Sequence, residues 1–236
     1  MSLIQLFNGD CLEVMDELIE KGVKVDMILC DPPYGTTQNA WDTVIPLDQL
    51  WERYERVIKD NGAIVLFAQT PFDKVLGASN LKLLKYEWIY NKSKPTGFLN
   101  ANKMPLKKHE NILVFYKKLP TYNPQGLIKD GVKKVTRTNK GNYGKCEATT
   151  VRKYTNYPTS ELNYSNVFKN QLHPTQKPVE LLEYLIKTYT HEGELVLDNC
   201  MGSGSTGVAC MNTNRKFIGI ELDNYYFNIA KERMNQ

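Results

Sequence analysis

The chain predicts an α/β fold: a mostly parallel, twisted sheet with helices on both faces. Three observations point there. Short apolar runs of strand length alternate with helical periodicities through most of the 236 residues. The run Val25–Cys30 is apolar almost throughout, as expected of a strand covered on both faces. A glycine-rich loop, Gly202 to Gly207, follows one apolar run and opens a helical one. At 42% apolar and 24% charged residues, a single domain of this length can bury a sizeable core.

Taken in order, Leu3–Phe7 reads as a strand and Leu12–Ile19 as a helix. Val25–Cys30 is a strand that must stop at Pro32-Pro33, since proline can neither donate to a ladder nor continue a helix. Leu47–Lys59 is amphipathic, Asn61-Gly62 is expected to break the chain, and Ala63–Ala68 is the next strand. A helix beginning near Pro71, a strand Leu83–Tyr90 and an antiparallel edge strand Glu110–Tyr116 follow. From Lys117 to Phe168 periodicity fades into Gly, Asn, Thr, Tyr and Lys, which predicts loop-rich surface. Order resumes with helix Val179–Thr188, strand Leu195–Leu197, helix Thr206–Met211, strand Phe217–Ile220 and a helix from Asn224.

Composition excludes several classes. No apolar run reaches the 18 or so residues of a membrane span. The opening Met1-Ser2-Leu3-Ile4-Gln5 has no basic region, so no secretory leader is expected. The 5 cysteines form no C-x-x-C pair, which argues against metal ribbons and disulfide scaffolds and for a reducing cytosol. The net charge of +4 hides a block from Asn91 to Asn170 with 16 Lys/Arg against 4 Asp/Glu, set in an acidic remainder. Such a block suits a polyanion, because phosphate neutralisation sets nucleic-acid affinity. The aromatics within it, among them Phe98, Tyr122, Tyr143 and Tyr154, can stack on bases.

Two constellations carry chemistry. Gly202, Gly204 and Gly207 spell G-x-G-x-x-G, and Glu221 follows Gly202 by 19 residues at the end of the next strand. Glycines admit a ligand close to the backbone, and the carboxylate suits a ribose hydroxyl pair. NAD, FAD and S-adenosylmethionine all fit this pattern; Asp198 beside the loop would repel a pyrophosphate and favours a cationic ligand. The second constellation is Asp31-Pro32-Pro33-Tyr34 at a strand end. Two prolines leave carbonyls as acceptors, Asp31 adds a carboxylate and Tyr34 a flat face. Together they suit the exocyclic amino group of a planar base, whose nitrogen lone pair is delocalised and needs polarising before it can attack a methyl group.

With these residues in order, the chain resembles the β-class DNA amino-methyltransferases, the N6-adenine/N4-cytosine family, over about residues 1–116 and 172–236. Asn8-Gly9-Asp10, the stretch from Thr96-Gly97-Phe98-Leu99-Asn100 to His109-Glu110, His173-Pro174-Thr175-Gln176-Lys177-Pro178 and Phe217-Ile218-Gly219-Ile220-Glu221 add to the likeness. The resemblance implies a Rossmann-like methyltransferase fold with permuted motif order: a catalytic half (1–92), a basic target-recognition insert (93–171) and a cofactor-binding half (172–236). It implies S-adenosyl-L-methionine held by Asp10, Asp31, Thr175, Lys177, Asp198, Cys200, Gly202, Gly204, Ser205, Thr206 and Glu221. The catalytic set is Asp31, Pro32, Pro33 and Tyr34, with a flipped target base stacked on Tyr34. DNA phosphates would meet Lys92, Lys94, Lys103, Lys107, Lys108, Lys133, Lys134, Arg137, Arg152 and Lys153. Loop Gly35 to Asp42, with Trp41, would close over the base.

One departure stands out: relatives carry Asp-Pro-Phe before the glycine loop where this chain has Asp198-Asn199-Cys200, and cysteine cannot stack. Aspartate at position 31 leans toward adenine over cytosine. The rival readings are a methyltransferase of another planar amide or amine, such as a glutamine side chain or an RNA base, an NAD-dependent oxidoreductase and a non-catalytic DNA-binding scaffold. The recognised sequence, a homodimeric state and a cognate restriction endonuclease stay open; the location implied is the cytoplasm of a bacterium or of a phage-infected host.

Overall fold

The computed structural model describes residues 3–35, 42–139, 146–167 and 171–235, by backbone alone over 132–139 and 146–152. The chain divides into two units, Met1–Asn123 with Ser160–Gln236, and Pro124–Thr159.

The first unit holds an eight-stranded sheet. In chain order its elements are β1 (Ile4–Asn8), α1 (Cys11–Glu20), β2 (Val25–Cys30), α2 (Leu47–Val57), β3 (Ile58–Ala68), α3 (Phe72–Ser79), β4 (Leu84–Thr96) and β5 (Lys107–Phe115). The second unit is the hairpin β6 (Ile128–Asn139) and β7 (Cys146–Thr155). The first unit resumes with β8 (Glu161–Tyr164), α4 (Val179–Tyr189), β9 (Leu195–Asp198), α5 (Ser205–Asn212), β10 (Lys216–Glu221) and α6 (Asn224–Arg233). The strand order is β1-β10-β9-β2-β3-β5-β4-β8. Pairing is parallel from β1 through β3, antiparallel on both sides of β5, and parallel again between β4 and β8.

The two-residue period of the strands sorts the core into two layers. Met27 and Leu29 of β2, with Ala63, Val65 and Phe67 of β3, pack with residues of α4, α5 and α6. Their neighbours Ile28, Cys30, Ile64, Leu66 and Ala68 face the other way, onto α1, α2 and α3. Among the described residues no helix is long and apolar enough to cross a membrane.

Three expectations are corrected. Asn61-Gly62 does not break the chain; it lies inside β3, where the register slips between Val25↔Ile58 and Met27↔Ala63, so the polar residues bulge out and pairing resumes. β5 is antiparallel as expected but is not an edge, since β3 and β4 flank it and β8 takes the edge. The stretch 117–168 is not all loop. β6 and β7 pair from Ile128↔Thr155 to Asn139↔Cys146, in segments rich in β-branched Val and Thr but without the apolar alternation that marks half-buried strands.

Candidate active site

The carboxyl ends of β2, β3, β9 and β10 open onto a cavity of about 690 Å³, at the sheet edge where open α/β folds bind ligands. The expected residues Asp10, Asp31, Pro32, Pro33, Tyr34, Thr175, Lys177, Asp198, Cys200, Gly202, Ser205, Thr206 and Glu221 all line it. Gly204 does not; with φ at 77° it caps the start of α5, a conformation glycine adopts without strain. A Cβ there would stand 2.9 Å from that of Ala230, so α6 packs directly on the loop.

Each acid is held by a local device. Asp10 caps α1: its Oδ1 accepts the amides of Leu12 at 2.8 Å and Glu13 at 3.3 Å, which leaves Oδ2 for a ligand. Asp198 ends β9 fully buried, accepting the Thr206 hydroxyl at 2.6 Å and the Cys200 amide at 3.1 Å. Burial pushes its carboxyl up to about 7, against the pull of those hydrogen bonds. Glu221 ends β10 and accepts the amides of Gly202 and Asp223, each at 2.8 Å. Burial raises its carboxyl as well.

The carboxyl end of β2 is more heavily paired than the motif suggested. Tyr34 donates its hydroxyl to Asp31 Oδ1 at 2.5 Å, and the Lys177 ammonium donates to Asp31 Oδ2. Lys177 also meets Glu110 at 3.2 Å, and Glu110 meets Lys92 at 2.5 Å. Two carboxylates and two ammoniums thus form a buried, charge-balanced chain, with Lys177 over the Phe67 ring at 5.0 Å. Burial raises Asp31 despite Lys177, whereas Glu110, buried between two ammoniums, is held below its ordinary value. Burial alone would lower Lys177, but its two carboxylate partners hold it above its usual value.

Several sequence assignments acquire different surroundings. Lys177, expected at the cofactor, directs its ammonium to Asp31 and Glu110. Lys92, expected on DNA phosphates, is only 8% exposed and bound to Glu110. Tyr34 is stacked on Phe72 at 5.2 Å between ring centroids, so one face is taken. Thr175 hydrogen-bonds His173 Nδ1, and that ring packs edge-on against Tyr226 at 4.2 Å. The Asn199-Cys200 departure is structural. Asn199 accepts the buried Tyr54 hydroxyl at 2.6 Å, and Cys200 interacts with the thiols of Cys11 and Cys30.

Lys94, Lys103 and Lys108 are exposed and Lys107 half-buried, none of them in the cavity lining, and Lys153 is exposed on the second unit. Lys133 and Arg152 are paired across β6 and β7, and Lys134 and Arg137 lie along β6; their side chains are outside the described residues, as is the 36–41 stretch with Trp41.

Sequence reasoning missed Glu110, Phe67, Phe72 and Arg233. Arg233 reaches from α6 to the Ser203 carbonyl at 2.5 Å and the Ser205 hydroxyl at 3.2 Å, pinning the glycine loop. Only Glu110 left a trace, at the end of the Thr96 to Glu110 stretch that carries part of the family likeness, with nothing there to signal its ion pairs.

The N6_N4_Mtase family model, described as DNA methylase, matches residues 25–232. The chain belongs to this DNA methylase family. Among curated relatives, the Type II methyltransferase M.HpaI of Haemophilus parainfluenzae is 28% identical, over 98% of this methylase and 74% of its own length. The DNA adenine methyltransferase YhdJ of Escherichia coli is 26% identical, over 98% and 82%. Among solved structures, the M1.HpyAVI–SAM complex matches 99% of this methylase and 100% of its own chain, with a TM-score of 0.70 at 28% identity. The cytosine-N4-specific PvuII DNA methyltransferase has a TM-score of 0.72 at 15% identity, covering 99% and 86%, a likeness of fold alone.

Proposed function

We propose that this DNA methylase transfers a methyl group from S-adenosyl-L-methionine to the exocyclic N6 of adenine, in a base turned out of the duplex into the cavity. One observation carries the reading: the Asp31 carboxylate stands at the end of β2 in the same cavity as Asp198 and Glu221.

The donor set fits that cofactor. Asp198 and Asp31 offer negative charge to a cationic methionine end, Glu221 can meet ribose hydroxyls, and Asp10 Oδ2 can meet an adenine amino group. When bound, S-adenosylmethionine supplies the electrophilic methyl group on its sulfonium. Asp31 and the Pro32 carbonyl accept the two N–H groups of the target amine, each Asp31 oxygen having a lone pair beyond its present partner. Those hydrogen bonds turn the nitrogen lone pair out of conjugation. Asp31, raised by burial, then takes the released proton before passing it to solvent. Lys94, Lys103, Lys107 and Lys108, with the β6–β7 lysines and arginines, hold phosphates. Adenine is preferred because aspartate leads the catalytic motif, and YhdJ, similar along nearly the whole chain, is named an adenine methyltransferase.

The test is transfer of labelled methyl from S-adenosylmethionine to unmethylated genomic DNA, with the modified nucleoside identified by mass spectrometry. N6-methyladenine is expected, and Asp31→Ala should abolish transfer while cofactor binding persists. N4-methylcytosine would overturn the base assignment, and an active Asp31→Ala would overturn the mechanism.

A further inference from the structure

β4 runs in the same direction as β3, because each is antiparallel to the intervening β5. Its carboxyl end therefore leaves the sheet at the edge where the cavity opens. β3 pairs with β5 only as far as Ala68↔Asn111, but β4 and β5 stay together to Thr96↔Lys107. Those four further residues of β5 carry the hairpin about 13 Å beyond the end of β3. Lys92, near its base, and Thr96, in its last pair, line the cavity. The hairpin is thus an arm standing at the rim of the active site.

The tip of that arm is apolar. Gly97, with φ at 90°, turns the chain into a single 3-10 turn, Phe98–Asn100. Leu99 is 100% exposed, Phe98 67% and Met104 51%. Isolated exposed apolar residues are ordinary, but three within seven residues at a protruding tip are a concentrated patch. No acidic residue lies between Lys94 and His109, and Lys94, Lys103, Lys107 and Lys108 flank the tip residues along the chain. An apolar point in a cationic collar complements one occupant: a duplex, with phosphates outside and a hydrophobic base stack within. Phe, Leu and Met are the side chains that DNA-deforming proteins wedge between base steps. A minor groove about 7.5 Å deep is shallower than the overhang.

We propose that Phe98 and Leu99 form the wedge that enters the duplex as the target base leaves it, filling the vacated layer and holding the base in the cavity. This rests on the proposed methyl transfer to a flipped base. The wedge would be a positioning device acting on the duplex, while the chemistry stays with Asp31.

The experiment uses the full chain and a 30-base-pair duplex carrying the site mapped from methylated genomic DNA. One version has the target paired normally and a second has an abasic residue opposite it, so that no pair need be broken. If wild-type protein methylates neither, the proposed function fails first and the wedge falls with it. If it methylates both, Phe98→Ala/Leu99→Ala should lower kcat/KM at least tenfold on the paired duplex and less than threefold on the abasic one. Cofactor affinity should be unchanged, and the fluorescence rise of 2-aminopurine at the target position should be lost. Equal loss on both duplexes, or no loss on either, would overturn the wedge. So would an activity loss that tracks dissociation of a dimer in sedimentation, since the tip would then be covered by a second copy of the chain.

Discussion

Replacing Glu110 by Gln tests whether the buried ion chain is an energetic unit. Asp31 and Glu110 supply two negative charges, Lys92 and Lys177 two positive ones, and the side chains of Lys92, Glu110 and Lys177 are 8%, 12% and 10% exposed. Glutamine keeps the volume but leaves the cluster with an excess ammonium: Lys92 loses the carboxylate 2.5 Å away and Lys177 the one 3.2 Å away. Removing one partner of a buried pair costs about 3–5 kcal/mol, because the remaining charge stays desolvated. Against a total stability of about 5–15 kcal/mol that is a large fraction. In urea, with a slope of about 2–3 kcal/mol/M, the midpoint should drop by about 1–2 M. Adding Lys92→Met restores neutrality and should recover most of the loss. A Glu110→Gln midpoint within about 0.3 M of wild type, with no gain from the second substitution, would refute the reasoning.

Three further outcomes follow from the same geometry. Burial holds the Asp198 carboxyl at about 7, above its unfolded value, so its ionisation costs folding stability that grows as pH rises to about 7; a cationic ligand offsets that cost. Affinity for S-adenosylmethionine, followed by calorimetry, should therefore fall about tenfold from pH 8 to pH 6 and become nearly flat in Asp198→Asn. Neutralising Lys103, Lys107 and Lys108 together should weaken DNA binding on every sequence and reduce the slope of log affinity against log salt by about 2.7, at about 0.9 per phosphate contact; an unchanged slope would take these lysines off the backbone. In Gly207→Ala the new Cβ would stand 2.1 Å from Met234 Sδ and 2.8 Å from Phe217 Cε1. That overpacking should cost about 1–3 kcal/mol and several degrees of melting temperature, with Met234→Ala relieving it.

What could be read from the chain was what local backbone chemistry dictates. Asp31 and Glu221 were legible because each ends an apolar run beside a proline pair or ahead of a glycine loop's partner helix, and such ends admit few other readings. The alternation of runs and helical periods likewise yielded the parallel core and the helices α1 to α6. β6 and β7 were not legible, because their pairing depends on neighbours across the hairpin and not on an apolar face. Lys92 was assigned to DNA because it falls in the basic block, and Lys177 to the cofactor because the segment His173 to Pro178 resembles the family's signature. Their actual partner, Glu110, lies 67 residues from one and 18 from the other in the chain, and only the folding of β4 beside β5 closes those distances. Arg233 was invisible for the same reason, since nothing in α6 signals that it reaches back to the serines of the glycine loop.

The placement of Glu110 and Lys92 also ties two parts of the site together. They sit three residues from Lys107 and four from Thr96, the last pair of the arm. Through Lys177 the same two residues set the charge beside Asp31. The negative charge of Glu110 raises the Asp31 carboxyl, and with it gone Lys177 serves Asp31 alone. In Glu110→Gln the acid limb of the methylation pH profile should accordingly move to lower pH. The Lys92→Met double variant separates the two roles. If the ion chain serves only charge balance, regained stability should bring back the wild-type profile. If Glu110 tunes Asp31, the acid limb stays displaced in a protein as stable as the original, because Lys177 still faces Asp31 without its second carboxylate.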